Sequence, residues 1–478
     1  MGYGGVRGDN RQEESRLIQK DTYSQLYRTF FPLLIIIAAQ GIVSLGVNLA
    51  DNMMLGAYSE LAMTGAAIVN QLQFILQSLT MGVGAGMVAL CSQYWGKGET
   101  EPIRRVIQLG VKLALVFGII FWVVTMAFPG QTLRLLTNDE AVVQEGVRYL
   151  KLMCWTYLVY SVSSSLAYSL QSVQTAWIGT VMSVSTLTIN ICLNYTFIYG
   201  HFGAPRMGIL GSGVATLTSR CIELVIVLIY VFFVDKKLHL RLRELVRFDF
   251  GYWRDFRRVS MPIVANGAQW GVAQAAQMSI LGHLSETAIA ANSIANVIFS
   301  IFTIFGMSCA NAAQVTIGKT IGEGELGSVK RYAKRLQLIF IVIGVLTGAM
   351  VFLFRHAIVN FYSVSDATRM LAVQFLIVLS VTTMGSCYEY PVGNGIISGG
   401  GNTKFPMAVD SLFMWVFTLP LSVASAFLFK WSPIVTFCAL KSDQILKCLP
   451  YAIRVNRFKW IRQVTRQGTQ DSESSSSV

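Results

Sequence analysis

Few ionisable side chains fall inside the long apolar stretches of this sequence, and those few are where chemistry can occur. Asp51 lies in Asn48-Leu49-Ala50-Asp51-Asn52-Met53-Met54-Leu55-Gly56. A carboxyl group in such a setting can take up a proton or an alkali cation, because burial favours the neutral acid and a bound cation favours the ionised form. The plainer reading is an aspartate hydrogen-bonded between helices, or one near an interface. Asn190 and Asn194, in Asn190-Ile191-Cys192-Leu193-Asn194-Tyr195, are spaced to share one helix face. Their amide oxygens are hard ligands suited to Na⁺, and their amides equally suit a protonated carboxyl. Ordinary interhelical hydrogen bonding is the alternative. Thr216 offers a hydroxyl to the same group. Asp410, in Phe405-Pro406-Met407-Ala408-Val409-Asp410-Ser411, is a second candidate for proton or cation handling, or a counter-charge for a cationic substrate.

Arg220 and Glu223 stand three apart in one apolar stretch, and Lys441, Asp443 and Lys447 cluster in another. These are expected to form structural intramembrane ion pairs or to snorkel toward an interface. Gln269, Trp270, Gln274, Met53 and Phe299 are expected to line a cavity for varied apolar ligands, with packing as the bland alternative. Gly82-Val83-Gly84-Ala85-Gly86 is no phosphate loop: no strand signal precedes it and no Gly-Lys-Ser/Thr follows. It reads as close helix contact through small residues. The sequence contains no Walker motif, no HExxH pair and no nucleophile constellation, so neither ATP-driven transport nor catalysis has support within the chain. No cofactor is expected beyond a coupling ion, H⁺ or Na⁺, with Na⁺ placed at Asp51, Asn190 and Asn194.

The elements that must position these groups are membrane helices. Of 478 residues, 53% are hydrophobic and only 13% charged, about half the charge of a soluble protein. Apolar stretches long enough to cross about 30 Å of hydrocarbon recur along nearly the whole chain. Twelve helices are predicted, over 30–55, 61–91, 107–128, 146–170, 177–199, 210–234, 259–281, 288–318, 336–354, 370–397, 405–428 and 433–455. The net charge of +13 sits in alternate loops, among them Lys97, Arg104 and Arg105, the run from Lys236 to Arg258, and Lys330 to Arg335. That pattern is membrane orientation rather than nucleic-acid binding. It places both termini in the cytoplasm of a multi-pass protein of the plasma (inner) membrane. The eight cysteines have no metal-site spacing and read as small packing residues.

The two halves resemble each other. Leu55-Gly56-Ala57-Tyr58-Ser59-Glu60 matches Leu281-Gly282-His283-Leu284-Ser285-Glu286, 226 positions on, and the same offset aligns Gly96-Lys97-Gly98-Glu99 with Gly322-Glu323-Gly324-Glu325. An offset of six helices implies two parallel repeats, which commonly hold a substrate cavity between them. The predicted organisation is an N-terminal cytoplasmic segment 1–29, an N-lobe 30–234, a basic cytoplasmic linker 235–258, a C-lobe 259–455, and a cytoplasmic tail 456–478 with a disordered end.

Taken together, Asp51 with Met54-Leu55-Gly56, the run from Asn190 and Asn194 to Phe197-Ile198-Tyr199-Gly200, His201-Phe202-Gly203-Ala204-Pro205, Gly211-Ser212-Gly213-Val214-Ala215-Thr216 and Gly399-Gly400-Gly401-Asn402-Thr403-Lys404 resemble the multidrug and toxic compound extrusion (MATE) family across nearly the entire chain. The resemblance implies an all-α, two-lobed fold of twelve helices and a functional monomer. It also implies export of small amphipathic or cationic compounds in exchange for H⁺ or Na⁺. The family's helix-1 aspartate maps onto Asp51 and its helix-5 partners onto Asn190 and Asn194. Some members carry an acid at the position of Asn194, and some a glutamate in helix 7, where this chain has only Gln269, Gln274 and Gln277. Coupling is therefore expected to rest on Asp51, with Asp410 as its second candidate. A flippase for a lipid-linked substrate is the nearest alternative. A non-transporting scaffold or receptor is the alternative from another class, and a membrane enzyme the third.

Overall fold

The computed structural model describes residues 6–247, 249–282, 286–362 and 364–466. The described chain is helical, and its long helices are α1 (Val6–Tyr58), α2 (Glu60–Gly96), α3 (Thr100–Ala127), α4 (Glu140–Ser172), α5 (Trp177–Tyr199), α6 (Ile209–Ile229), α7 (Trp253–Gly282), α8 (Glu286–Gly322), α9 (Leu326–Asn360) and α10 (Asp366–Tyr390). Helix α11 begins at Lys404–Leu412 and α12 at Pro433–Lys441. Short helices Pro129–Arg134 and Leu242–Val246 occupy two connections. Nine of the described helices are long and apolar enough to cross a membrane. Large apolar side chains such as Val116, Ile120, Val345 and Leu353 face outward, a lipid-facing belt that a water-soluble surface does not tolerate.

Proline decides where the later helices depart from regular winding. Pro391, Pro420 and Pro450 each lack the N–H that would bond four residues back. Helix α10 continues through a wide π-helical turn, Pro391–Ile397, and α11 runs through two more, Phe413–Thr418 and Ala424–Leu428. Helix α12, predicted as one rod over 433–455, is three pieces: Pro433–Lys441, Asp443–Leu446 and Cys448–Asn456. Pro450 removes a bond to the carbonyl of Leu446 at the last break. At the other end of the chain α1 starts earlier than the predicted residue 30. Residues 6–29 continue its helix, because nothing between Asn10 and Phe31 breaks it and Arg, Gln, Glu, Leu and Lys favour it.

The repeat is visible in the packing. Helices α2 and α8 are each 37 residues long, and each is followed two residues on by a left-handed glycine, Gly98 at φ 76° and Gly324 at φ 81°. Corresponding residues of the two helices touch each other. A Cβ on Gly96 would lie 2.9 Å from Gly322 Cα, and one on Gly322 would lie 2.9 Å from Gly96 Cα. Residues related by the internal offset meet only on or near a pseudo-twofold axis, so the lobes are related about this contact. The glycine run of α2 serves the same seam: a Cβ on Gly82 would lie 2.6 Å from Val264 Cα of α7, and one on Gly86 would meet Ser260. The lobes also exchange arms. Phe30 of α1 packs in the C-lobe core beside Phe340, while Phe256 and Val264 of α7 lie in an N-lobe core with Met87, Ile107 and Leu170.

The basic ends of the helices are drawn together. Arg104 pairs with Glu244 at 3.4 Å and Arg105 with Asp249 at 3.3 Å, which ties the 235–258 connection to α3. The segment after Asn456, predicted as a cytoplasmic tail with a disordered end, is folded as far as Arg466. Trp460 is fully buried and its indole N–H donates to the Val455 carbonyl. The amide of Gln93 on α2 donates to the carbonyls of Gly399 (3.1 Å) and Arg462 (3.2 Å), and its oxygen accepts from the Val464 N–H (3.0 Å). Arg466 pairs with Asp255 at 2.8 Å. The tail packs because Trp460, Phe458 and Val464 supply the apolar surface that the serine-rich end lacks. That end, with Asp471 and Glu473, and the repeat residues His283 to Ser285 lie outside the described residues.

Gln93→Leu keeps the volume but strands two carbonyls and an amide at this seam, at about 1–3 kcal/mol for a buried unsatisfied group. The expected result is faster trypsin cleavage at Arg462 and Arg466, by roughly fivefold or more, read by mass spectrometry on purified protein. An unchanged cleavage rate would show that the seam does not hold this segment.

Candidate functional site

Two polar networks lie inside the apolar body, one in each lobe. The N-lobe network begins at Asp51, which is 7% exposed. Helix α5 presents Asn190 and Asn194 on one face, as their spacing predicts, and both are fully buried. The Asn194 amide donates to Asp51 Oδ1 and to Asn190 Oδ1 (3.0 Å), and the Asn190 amide donates to Thr216 Oγ1 of α6 (3.3 Å). The chain of bonds therefore runs α1–α5–α6 through the four predicted residues. One turn along, the Tyr199 hydroxyl donates to the Met54 carbonyl at 2.8 Å and fixes α5 against α1. Among the described residues, no side-chain ammonium or guanidinium is in salt-bridge range of Asp51.

The residues fit either expected coupling ion. Asp51, Asn190, Asn194 and Thr216 bring only hard oxygens and amides, and the Asn194 Oδ1 is buried without a protein partner among the described residues. That oxygen is a spare acceptor beside the carboxyl, open to an alkali cation or to the O–H of a protonated acid. Among the described residues no three His, Cys, Asp or Glu side chains form a metal site.

Deeper in the same lobe, Glu223 takes a 2.6 Å bond from Arg220 and hydroxyl bonds from Ser163 (3.3 Å) and Thr186 (3.2 Å). Arg220 also lies over the Tyr160 ring, 5.2 Å from its centroid. This charge pair is internally satisfied.

The C-lobe network centres on Lys447. Its ammonium lies 3.1 Å from Asp443, 3.2 Å from Asp410 and 3.7 Å from Glu389. Asp410 further accepts from the Asn266 amide (2.8 Å) and the Tyr451 hydroxyl (3.2 Å), and Gln269 bonds Asn266 in turn. Asp410 thus belongs to a group separate from Asp51, in the other lobe. Glu389 was not singled out in the sequence, although an acid two residues before Pro391 in an apolar run was a legible signal. Lys441 was expected to enter an intramembrane ion pair or to snorkel. Instead its ammonium sits over the Phe299 ring at 4.6 Å, and Asp443 pairs with Lys447 one turn on.

This network borders a cavity of about 170 Å³. Gln269, Trp270, Gln274 and Phe299 line it, as expected. Met53 does not: it is 75% exposed. Two residues after Asp51 on a helix, it is turned about 200° away and faces outward.

A two-lobed, twelve-helix membrane fold with a polar network inside each lobe defines a multi-pass membrane transporter. The MatE family model matches residues 37–196 and 262–424. The chain belongs to that family, the multidrug and toxic compound extrusion transporters, and is accordingly not an enzyme. Among curated relatives, a probable multidrug resistance protein NorM of Listeria monocytogenes serovar 1/2a is 23% identical over 466 residues, covering 95% of this chain and 99% of its own. Among solved structures, a MATE protein in complex with MaL6 superposes with a TM-score of 0.80 at 16% identity, over 91% of this chain and 96% of its own. A MOP-superfamily transporter from Pyrococcus furiosus, described as having a binding pocket of reverse polarity, gives 0.81 at 16% identity over 91% and 97%. At that identity the two structures speak for the fold alone.

Removing one member of the N-lobe charge pair leaves the other buried and unpaired. Arg220→Met is expected to cost about 3–5 kcal/mol, and Arg220→Met with Glu223→Leu to recover most of it. Thermal melting of the purified variants reads both. Equal losses in the single and double variants would overturn the structural role of this pair.

Proposed function

We propose that the protein is a secondary antiporter that exports small amphipathic, mainly cationic compounds in exchange for H⁺ or Na⁺. The observation that carries this reading is Asp51: a buried carboxyl tied to two helices through amides and a hydroxyl, with a spare amide oxygen beside it and, among the described residues, no basic partner in salt-bridge range. Uptake of a proton removes the charge that the Asn194 amide faces, and a bound Na⁺ draws the surrounding oxygens inward. Either event changes the bonding between α1, α5 and α6. Those helices carry the N-lobe wall, so ion binding is coupled to lobe movement and alternating access between the two sides.

The site sits in a membrane protein whose densest positive charge falls in alternate loops, 97–105, 236–258 and 330–335, the side that the positive-inside rule assigns to the cytoplasm. On this reading both termini are cytoplasmic, the membrane is the plasma (inner) membrane, and the monomer is the working unit. The name of the Listeria relative, a probable multidrug resistance protein, agrees in substrate class. A flippase for an anionic lipid-linked substrate needs free positive charge in its cavity. Here three carboxylates face two ammoniums around the cavity, and Arg220 is engaged by Glu223.

Purified protein in liposomes is expected to export a fluorescent lipophilic cation under an imposed pH gradient or an imposed Na⁺ gradient, and the gradient that works names the ion. Asp51→Asn is expected to reduce coupled flux to the level of empty liposomes while melting within a few degrees of the parent. Undiminished coupled flux in Asp51→Asn would overturn Asp51 as the coupling site.

A further inference from the structure

The C-lobe cavity already contains cations, and they are the protein's own. Lys447 lies among Asp443, Asp410 and Glu389, and Lys441 lies on the face of Phe299, so each kind of contact that an organic cation would seek is made by a tethered ammonium. An aromatic face and a desolvated carboxylate are the two features that recognise a lipophilic cation. The cavity shows a second mark of a ligand site. Thr383 Oγ1 and Gln444 Oε1 belong to side chains that line it, are more than nine-tenths buried, and have no protein partner among the described residues. A buried hydroxyl and amide oxygen without partners are costly unless something polar meets them.

We propose that Lys447 is a built-in competitor for organic cations in this cavity, and so a residue that sets their affinity and their release. A bound substrate cation takes over Asp410 and Glu389, and the Lys447 ammonium falls back on Asp443, one turn away on the same helix. Departure of the substrate is assisted because Lys447 returns to the carboxylates. The cavity selects a flat or aromatic cation over a compact one, since Trp270 and Phe299 flank the acids. Lys441 has the same effect at the ring of Phe299. This deepens the export reading above by naming the C-lobe cavity as a substrate site and a tethered ammonium as its regulator; it does not depend on which ion drives transport.

The test is equilibrium binding of tetraphenylphosphonium to purified protein in detergent at one fixed pH, without a gradient. Lys447→Met is expected to bind it at least tenfold more tightly than the parent, Lys447→Arg within about threefold of the parent, and Asp410→Asn at least tenfold more weakly. If Lys447→Met does not fold, Lys441→Met supplies the same test and is expected to bind severalfold more tightly. Unchanged or weaker binding in a folded Lys447→Met, or in Lys441→Met where it is the only folded variant, overturns the proposal. Failure here with coupled flux still lost in Asp51→Asn would leave the antiporter reading standing. Success here with flux indifferent to Asp51 would leave the cavity a cation site in a transporter coupled elsewhere.

Discussion

The organisation of this molecule follows from the cost of a charge without a partner in a hydrocarbon surround. Arg220 and Glu223 satisfy each other, with Ser163, Thr186 and the Tyr160 ring completing their shell. Glu389, Asp410 and Asp443 gather on one ammonium. Each group is held by several helices at once, so the networks also fix how those helices pack. Asp51 is the contrast: its direct hydrogen bond comes from a neutral amide, that of Asn194. A group held by neutral dipoles can change charge with less rearrangement than one locked to an opposite charge, and this sets Asp51 apart as the place for an inorganic ion.

The lobes divide their work along the same line. The N-lobe carboxyl is small, enclosed and oxygen-rich, suited to an inorganic ion. The C-lobe network opens on a space bounded by aromatic rings, suited to something larger. Between them α2 packs on α7 and α8 with only the width of a glycine separating backbones at Gly82 and Gly96. Close backbone contact without interlocking side chains leaves few barriers to sliding, a suitable joint for two bodies that must change their angle.

Much of this was legible in the sequence. The spacing of Asn190 and Asn194 implied a shared face, and the offset between Gly96-Lys97-Gly98 and Gly322-Glu323-Gly324 implied parallel halves. Both follow from local periodicity. Three features were not legible. The breaks in α12 depend on Pro450 together with charges that turn toward a shared lysine. The outward face of Met53 follows from helix geometry, but which face is lipid requires the partner helices. The docking of Trp460 depends on surfaces far from it in sequence, in the cluster that α1, α8 and α9 form. Glu389 takes its meaning only from its partner, a lysine in another helix.

The closing segment from Arg457 to Arg466 has a consequence for how the molecule is made. The seam at the basic end is completed by Gln93 bonding to Arg462 and Val464, so Gln93 waits for residues made 369 and 371 positions later. Until the ribosome has released Val464, the two lobes can sit in the bilayer together, but this part of their joint stays unfinished. Membrane insertion and final closure are therefore separate events in the life of the protein, and any chain cut short before Val464 reaches the membrane without its finished seam.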